Sequence, residues 1–421
     1  MSYNQAWKLL FETLQIQKHL DEVGEFSLTA KQINSLTGVQ ARNMTKWDSR
    51  DARPEVLKNA NVTILSTSRS GYVLLKGDGY FNLPNIEPSV YHSPKKLEPY
   101  TTLPWRDKLT KESLAIDIAS VSSMLETFTQ EDSLALTIRG RGGSSVFDFN
   151  FKGLLKQHRV SVDRSQIEVD SGYEGNKVWL LEAKIGEPVD FLVRQLYYPW
   201  RLWKTLTRKE VIPVFLTYSN RSFGFFKYRF ENEDDYQSIK LIERRWFTFD
   251  APQAMPSMAE LFEQTRAAVP ATDVFPQADT LPTIITSVEL FAGEINSATD
   301  LAEHWNFDER QGQYYTTAVL WLGLIERDHG KISVTRLGLE FVRADRASRF
   351  KILFQAVAAT PVFRELIRRK LDGKTFSLEE IVEEILVKGY ADGSTPRRRA
   401  QTVVAWLNWL WREHANLAQA G

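Results

Sequence analysis

Apolar and polar positions along the chain follow two periods, and the change from one to the other marks out its elements. Over residues 5–23, Trp7, Leu9, Leu10, Leu14 and Leu20 recur in a broadly helical pattern, since residues three and four apart share a helix face. A short helix is predicted over 26–34, capped by Ser27 or Thr29 and closed at Thr37-Gly38. Residues 62–65 and 72–75 read as paired strands joined across 66–71. Another helix is predicted over 111–128, with Leu114, Ile118, Val121 and Leu125 on one face. Period two then takes over. Phe147, Phe149 and Phe151 imply a strand with one buried face, whereas the continuous run Val178-Trp179-Leu180-Leu181 suits a strand buried on both. A helix begins at Asp190, residues 211–218 and 223–228 read as further strands, and the sheet ends near Phe247. The fold class that follows is mixed α/β (α+β), a central sheet flanked by helices.

Two stretches interrupt these patterns. Pro84, Pro88, Pro94, Pro99 and Pro104 break up residues 82–104, and Ala, Pro, Thr, Asp and Gln recur over 249–282 around a helical piece near 258–268. Both read as linkers. They divide the chain into an N-terminal domain (1–95), a central domain (96–250), a linker (251–282) and a C-terminal domain (283–421), in keeping with a 421-residue chain too long for one core. In the last domain a helical stretch runs into Leu322-Gly323-Leu324-Ile325, and a short strand precedes Thr335-Arg336-Leu337-Gly338.

Lys plus Arg equals Asp plus Glu at 53 each, so affinity for nucleic acid has to come from local patches rather than from global charge. The absence of cysteine excludes disulfides, thiolate catalysis and thiolate-bound zinc, and agrees with a reducing compartment. Residues 1–8 lack the basic and apolar regions of a signal peptide, and no run of about 18 apolar residues suggests a membrane span. A cytoplasmic protein without membrane partners is expected. The twelve tryptophans belong mostly in cores.

The candidate chemistry lies in residues 166–184. Glu182 and Lys184 share one face of their strand, as Glu168 and Asp170 share one face of the strand before it. A hairpin turning across 171–177 brings Asp170 close to Glu182 and Lys184. Such charges near a buried hairpin are costly to desolvate unless they pair with one another, as in a plain salt-bridged strand, or hold a cation. An acid followed, after a short hairpin, by Glu182-Ala183-Lys184 resembles the PD-(D/E)XK nuclease core. That resemblance implies a Mg²⁺-dependent hydrolase in which Asp170 and Glu182 bind metal, with Glu168 as an extra ligand or an alternative to Asp170. It further implies that Lys184 orients or activates the attacking water and that Gln195 supports the site from the following helix. Tyr198 stands one residue nearer to Gln195 than the related family form has it. An acid lent by the helix that opens such cores would be Glu112 or Glu126.

Basic residues cluster around this segment. Arg139-Gly140-Arg141-Gly142-Gly143-Ser144 reads as a loop, either a phosphate contact made through Arg139, Arg141 and Ser144 or a flexible turn. Arg194 and Arg201 start a basic surface interleaved with aromatics. The helices and basic hairpin of the first 95 residues, which include Lys46, resemble a winged helix-turn-helix, and so does the segment carrying Arg310, Gln311 and Tyr314. The resemblance implies that these residues contact DNA, the alternatives being a solvated helical cap on the nuclease for the N-terminal module and binding to a second copy of the chain for the C-terminal one. Together the resemblances imply a Type II restriction endonuclease. It would cut double-stranded DNA at a specific sequence, leave a 5′ phosphate and a 3′ hydroxyl, act as a homodimer and have a DNA methyltransferase as genetic neighbour. A non-catalytic DNA-binding regulator and a repair or RNA nuclease with the same core are the alternatives.

Overall fold

The structure, a computed structural model, describes residues 1–84, 90–95, 97, 100–103, 109–251, 253–293, 295–305, 307–390 and 396–420; Pro88, Pro99 and Pro104 of the first predicted linker lie outside them. At the N-terminus, helices α1 (Tyr3–Thr13), α2 (Ile16–Glu22), α3 (Ala30–Thr37), α4 (Ala41–Thr45) and α5 (Glu55–Asn59) accompany a three-stranded antiparallel sheet. In it β3 (Gly71–Lys76) lies between β1 (Glu25–Thr29) and β2 (Val62–Ser66). Thr29 is the cap of α3: its hydroxyl accepts from the Gln32 N–H while the Gln32 side chain accepts from the Thr29 N–H. Of the two predicted caps Thr29 is therefore the one used, so the helix starts at Ala30 and the residues before it pair as β1. The sheet serves two cores. Leu74 packs with Trp7, Leu10, Ile33 and Trp47, whereas Leu65, Val73 and Leu75 join the aromatic core of the central domain, because successive side chains on a strand face opposite sides.

The central segment comprises β4 (Tyr80–Asn82), β5 (Val90–His92), α6 (Glu112–Val121), α7 (Met124–Thr129), β6 (Ala135–Gly143), β7 (Val146–Lys152), β8 (Gln157–Asp163), β9 (Gln166–Glu174), β10 (Val178–Ile185), β11 (Asp190–Leu192), α8 (Arg194–Leu206), β12 (Val211–Ser219), β13 (Ser222–Phe230) and β14 (Ile239–Thr248). Seven of these strands form a mixed sheet in the order β5-β14-β13-β12-β10-β9-β6, with β10 parallel to β12. Strand β10 is covered on both sides as its apolar run requires. Val178 and Leu180 face the core beneath α8, and Trp179, Leu181, Ala183 and Ile185 face the core beneath α6 and α7. Strand β7 alternates as its aromatics predict: Phe147, Phe149 and Phe151 are buried against Tyr197, Tyr198 and Tyr236.

Three local expectations change. The helix over 111–128 is two helices, broken where Ser123 takes the left-handed conformation at φ 59. The glycine-rich stretch over 139–143 is the end of edge strand β6 and not a loop, paired with β9 through Gly140↔Val169 and Arg141↔Glu168. Residues 190–192 form a strand because β4 offers them a partner, and the helix starts only at Arg194.

The C-terminal part consists of α9 (Met258–Glu263), α10 (Leu281–Gly293), α11 (Ala298–Trp305), α12 (Glu309–Trp321), the hairpin β15 (Ile325–Asp328) and β16 (Lys331–Val334), and α13 (Arg336–Arg343), α14 (Arg346–Ala358), α15 (Pro361–Leu371), α16 (Leu378–Val387) and α17 (Pro396–Ala420). Met258, Leu261, Phe275 and Ala278 are buried in its core, so much of the segment predicted as a linker is built into this body. The Thr335-to-Gly338 cadence has a physical cause. Thr335 caps α13 by accepting from the Gly338 N–H, and a Cβ on Gly338 would lie 2.0 Å from the Leu324 carbonyl oxygen. Gly338→Ala is expected to cost about 1–3 kcal/mol through overpacking against backbone, measurable as a lower midpoint in urea unfolding. Polar contacts join this body to the central segment: the Arg346 N–H donates to Asp250 Oδ2 at 2.8 Å, and Asn220 donates at 3.2 Å to Glu413, which Arg346 also grips through Nε and Nη2 at 2.7 Å. Among the described residues, no helix is long and apolar enough to cross a membrane.

Candidate functional site

Strands β9 and β10 pair from Val178↔Glu174 to Leu181↔Ser171 and then separate. Beyond that point the Ala183 N–H has no strand partner on this side and donates instead to Asp170 Oδ2, at 2.9 Å. The separation leaves room beside Glu182 and Lys184, which follow Val178 and Leu180 in parity and so face α8. Glu182 Oε1 accepts from Lys184 Nζ at 2.9 Å and from Gln195 Nε2, in the first turn of α8, at 2.6 Å. Lys184 Nζ also donates to Glu112 Oε1 at 3.1 Å, and Asp48 Oδ2 lies 3.8 Å from it. Glu112 is in the first turn of α6. Of the two helix acids considered from the sequence, Glu112 is the one at the lysine; Glu126 lies in α7. Asp48 precedes Arg50, which binds Asp190 through its backbone N–H at 2.9 Å and its guanidinium at 3.0 Å.

Burial pushes the Glu182 carboxyl up to about 8, with Lys184 opposing and Asp170 and Glu112 adding to the rise. Glu112 is raised for the same reasons, burial first. Burial pulls the Lys184 amine down, but Glu182, Asp48, Glu112 and Asp170 together hold it well above the ordinary lysine range. Four carboxylates thus act on one ammonium in a desolvated corner, an arrangement that favours additional positive charge. Among the described residues, no three His, Cys, Asp or Glu side chains stand close enough as a group to hold a metal ion; the Lys184 ammonium occupies the space between Glu182 and Glu112. The donor set nevertheless fits a hard cation. Asp170 and Glu182 supply carboxylate oxygens, and the buried Gln195 Oε1 has no hydrogen-bond partner among the described residues.

This corner is the floor of a cleft of about 480 Å³ whose opposite wall belongs to the N-terminal module. Arg42 and Lys46 from the α4 region, Arg69 from the β2–β3 turn and Arg194 from α8 line it together with Asn34, Ser68 and Tyr198. Arg69 carries no local sequence signal; it is recognisable only once the β2–β3 hairpin is placed over the floor. Arg194 donates to Ser66 Oγ at 3.2 Å and lies over the Tyr198 ring.

The remaining sequence candidates are placed as follows. Glu168 lines the same cleft, but it pairs with Arg141 at 3.0 Å and with Lys46 at 3.9 Å and is not gathered with Asp170, Glu182 and Lys184. Arg139 is bound to Asp117 at 2.7 Å and to the Ser171 hydroxyl. Ser144 is buried and its hydroxyl donates to the Ser145 carbonyl, so it presents nothing to a phosphate. Arg201 lies in the aromatic core over the Phe147 ring, bonded to Tyr197 and the Glu233 carbonyl, away from the cleft. Arg310, Gln311 and Tyr314 sit at the exposed start of α12 and also lie outside the cleft. Gln311 completes the capping box with Asp308, and Arg310 donates to the Tyr314 hydroxyl, whose ring carries Arg398 at 4.8 Å.

Residues 4–74 match a domain of unknown function (DUF6996), residues 75–248 a second domain of unknown function (DUF6997) and residues 283–415 a third (DUF7226). No curated protein and no solved structure matches the chain.

Proposed function

We propose that the chain is a Mg²⁺-dependent nuclease of the PD-(D/E)XK type acting on DNA, with winged-helix-like modules at both ends of the central sheet. The observation that carries this reading is the convergence of Asp170, Glu182, Lys184, Gln195 and Glu112 on one floor beneath a cleft ringed by Arg42, Lys46, Arg69 and Arg194. Cations spaced around a groove fit phosphate backbones. Asp170 and Glu182 would hold the metal, which when bound supplies positive charge at the phosphate and a water acidic enough to serve as nucleophile. The chain's own groups do the rest. Gln195 fixes the Glu182 carboxylate, Glu112 and Glu182 fix the Lys184 ammonium, and Lys184 steadies the charge that grows on the phosphoryl oxygens. Water attack at phosphorus with departure of the 3′ oxygen leaves a 5′ phosphate and a 3′ hydroxyl.

Within this reading a Type II restriction endonuclease is the substrate-specific form, double-strand cutting calling for a homodimer and self-protection for a neighbouring DNA methyltransferase. Incubating the purified protein with plasmid and Mg²⁺ separates the outcomes. Discrete fragments support restriction, general degradation supports a repair-type nuclease, and intact plasmid with retained binding supports a regulator. A second readout is independent of cutting. At a concentration about 100-fold above its dissociation constant, Mg²⁺ should stabilise the fold by about 2.7 kcal/mol, read as a higher Tm. Asp170→Asn should show no such shift; an equal shift in that variant would place the ion elsewhere.

A further inference from the structure

We propose that Asp48, contributed by the N-terminal module, is a positioning residue for Lys184, so that the catalytic floor is completed by a side chain from outside the central domain. The inference rests on the nuclease reading for its kinetic consequence but on geometry alone for the contact. Lys184 is 136 residues away in sequence, yet Asp48 Oδ2 lies 3.8 Å from its Nζ. The ammonium has three N–H donors. Glu182 and Glu112 take two of them at 2.9 and 3.1 Å, and the carboxylate of Asp48 stands just beyond hydrogen-bond length from the same nitrogen.

The backbone around Asp48 is fixed by independent contacts, so the placement is built in. The Asp48 carbonyl accepts from the Leu192 N–H at 3.0 Å, the Trp47 carbonyl accepts from the Tyr80 hydroxyl at 3.0 Å, and Arg50 grips Asp78 and Asp190. Asp48 Oδ1 is buried and has no hydrogen-bond partner among the described residues. Its other oxygen, Oδ2, is the one turned toward the amine, on a side chain that keeps 38% of its surface exposed. A positioning carboxylate of this kind keeps the third N–H of Lys184 from swinging onto Glu112 or Glu182 and so fixes the orientation of the ammonium beside the cleft.

Two measurements on the full chain test this. In protein labelled with ¹⁵N-lysine, with the Lys184 ammonium signal assigned through Lys184→Arg, Asp48→Asn should move that signal and leave Tm unchanged. In DNA cleavage with Mg²⁺, Asp48→Asn should lower kcat by about 10- to 100-fold, as losing a supporting partner commonly does, with KM unchanged, and Asp48→Glu should restore part of the loss. An unmoved Lys184 signal in Asp48→Asn overturns the contact whatever the activity. A moved signal with wild-type kcat overturns the positioning role. A wild-type chain that cuts no DNA with Mg²⁺ while the signal moves leaves the contact standing and removes the nuclease reading instead.

Discussion

Lys184→Ala should bind DNA with nearly wild-type affinity and cut it about 10²–10³-fold more slowly, the loss expected when a preorganised donor to developing charge is removed. The affinity is retained because the groups suited to phosphate, Arg42, Lys46, Arg69 and Arg194, line the wall and mouth of the cleft and are separate from its floor. The rate falls because the amine is the cation that Glu182, Glu112 and Asp48 hold at the floor. Asp170→Ala should behave alike, since it removes the carboxylate held by the Ala183 N–H. Single-turnover cleavage beside a gel-shift assay with Ca²⁺ gives both quantities, and wild-type cleavage by either variant would take that residue out of the mechanism.

The largest expected effect on stability lies far from this chemistry. In the C-terminal core Arg349 is almost fully buried, with its Nη1 donating to Glu289 at 2.7 Å, its Nη2 to the Val342 carbonyl at 2.6 Å and its Nε to the Ala344 carbonyl at 3.2 Å. The guanidinium therefore satisfies the end of α13 as well as the acid. Arg349→Met should destabilise the fold by about 3–5 kcal/mol, because Glu289 is left buried and uncompensated. Adding Glu289→Leu should return a large part of the loss, since removing both charges avoids the unpaired one. Urea denaturation followed by tryptophan fluorescence measures both; a single variant as stable as the wild type would show that Glu289 finds water or another donor.

The parts of the fold legible in the sequence are those that local period dictates. The run from Val178 to Leu181 announced a strand covered on both sides, and parity alone put Glu182 and Lys184 on one face; the structure has both features. Where a tertiary partner decides, the pattern misled. Residues 139–143 carry glycines that suit a loop, yet β9 recruits them as an edge strand. Residues 190–192 look like a helix start, but β4 and Arg50 hold them extended. The floor of the cleft shows the same division. Asp170, Glu182, Lys184 and Gln195 lie within one hairpin and the helix that follows it, so spacing could propose them. Glu112 could only be named beside Glu126, and Asp48 carried no signal, because each reaches Lys184 through packing of elements far apart in the chain. Arg201 and Ser144 fail as surface candidates for a related reason: a basic or hydroxyl residue in an aromatic or glycine-rich stretch gives no sign of whether the fold will turn it inward.

The small sheet of the first 76 residues has a consequence for how such chains can be recombined. Because Leu74 on β3 belongs to one core while Val73 and Leu75 belong to another, a splice at residue 74 or 75 would cut through a strand that both halves need. A chimera that imports a foreign N-terminal module would have to carry over the strand's sheet-facing residues and the Trp47-to-Arg50 clasp together, or leave an open apolar surface beside the cleft.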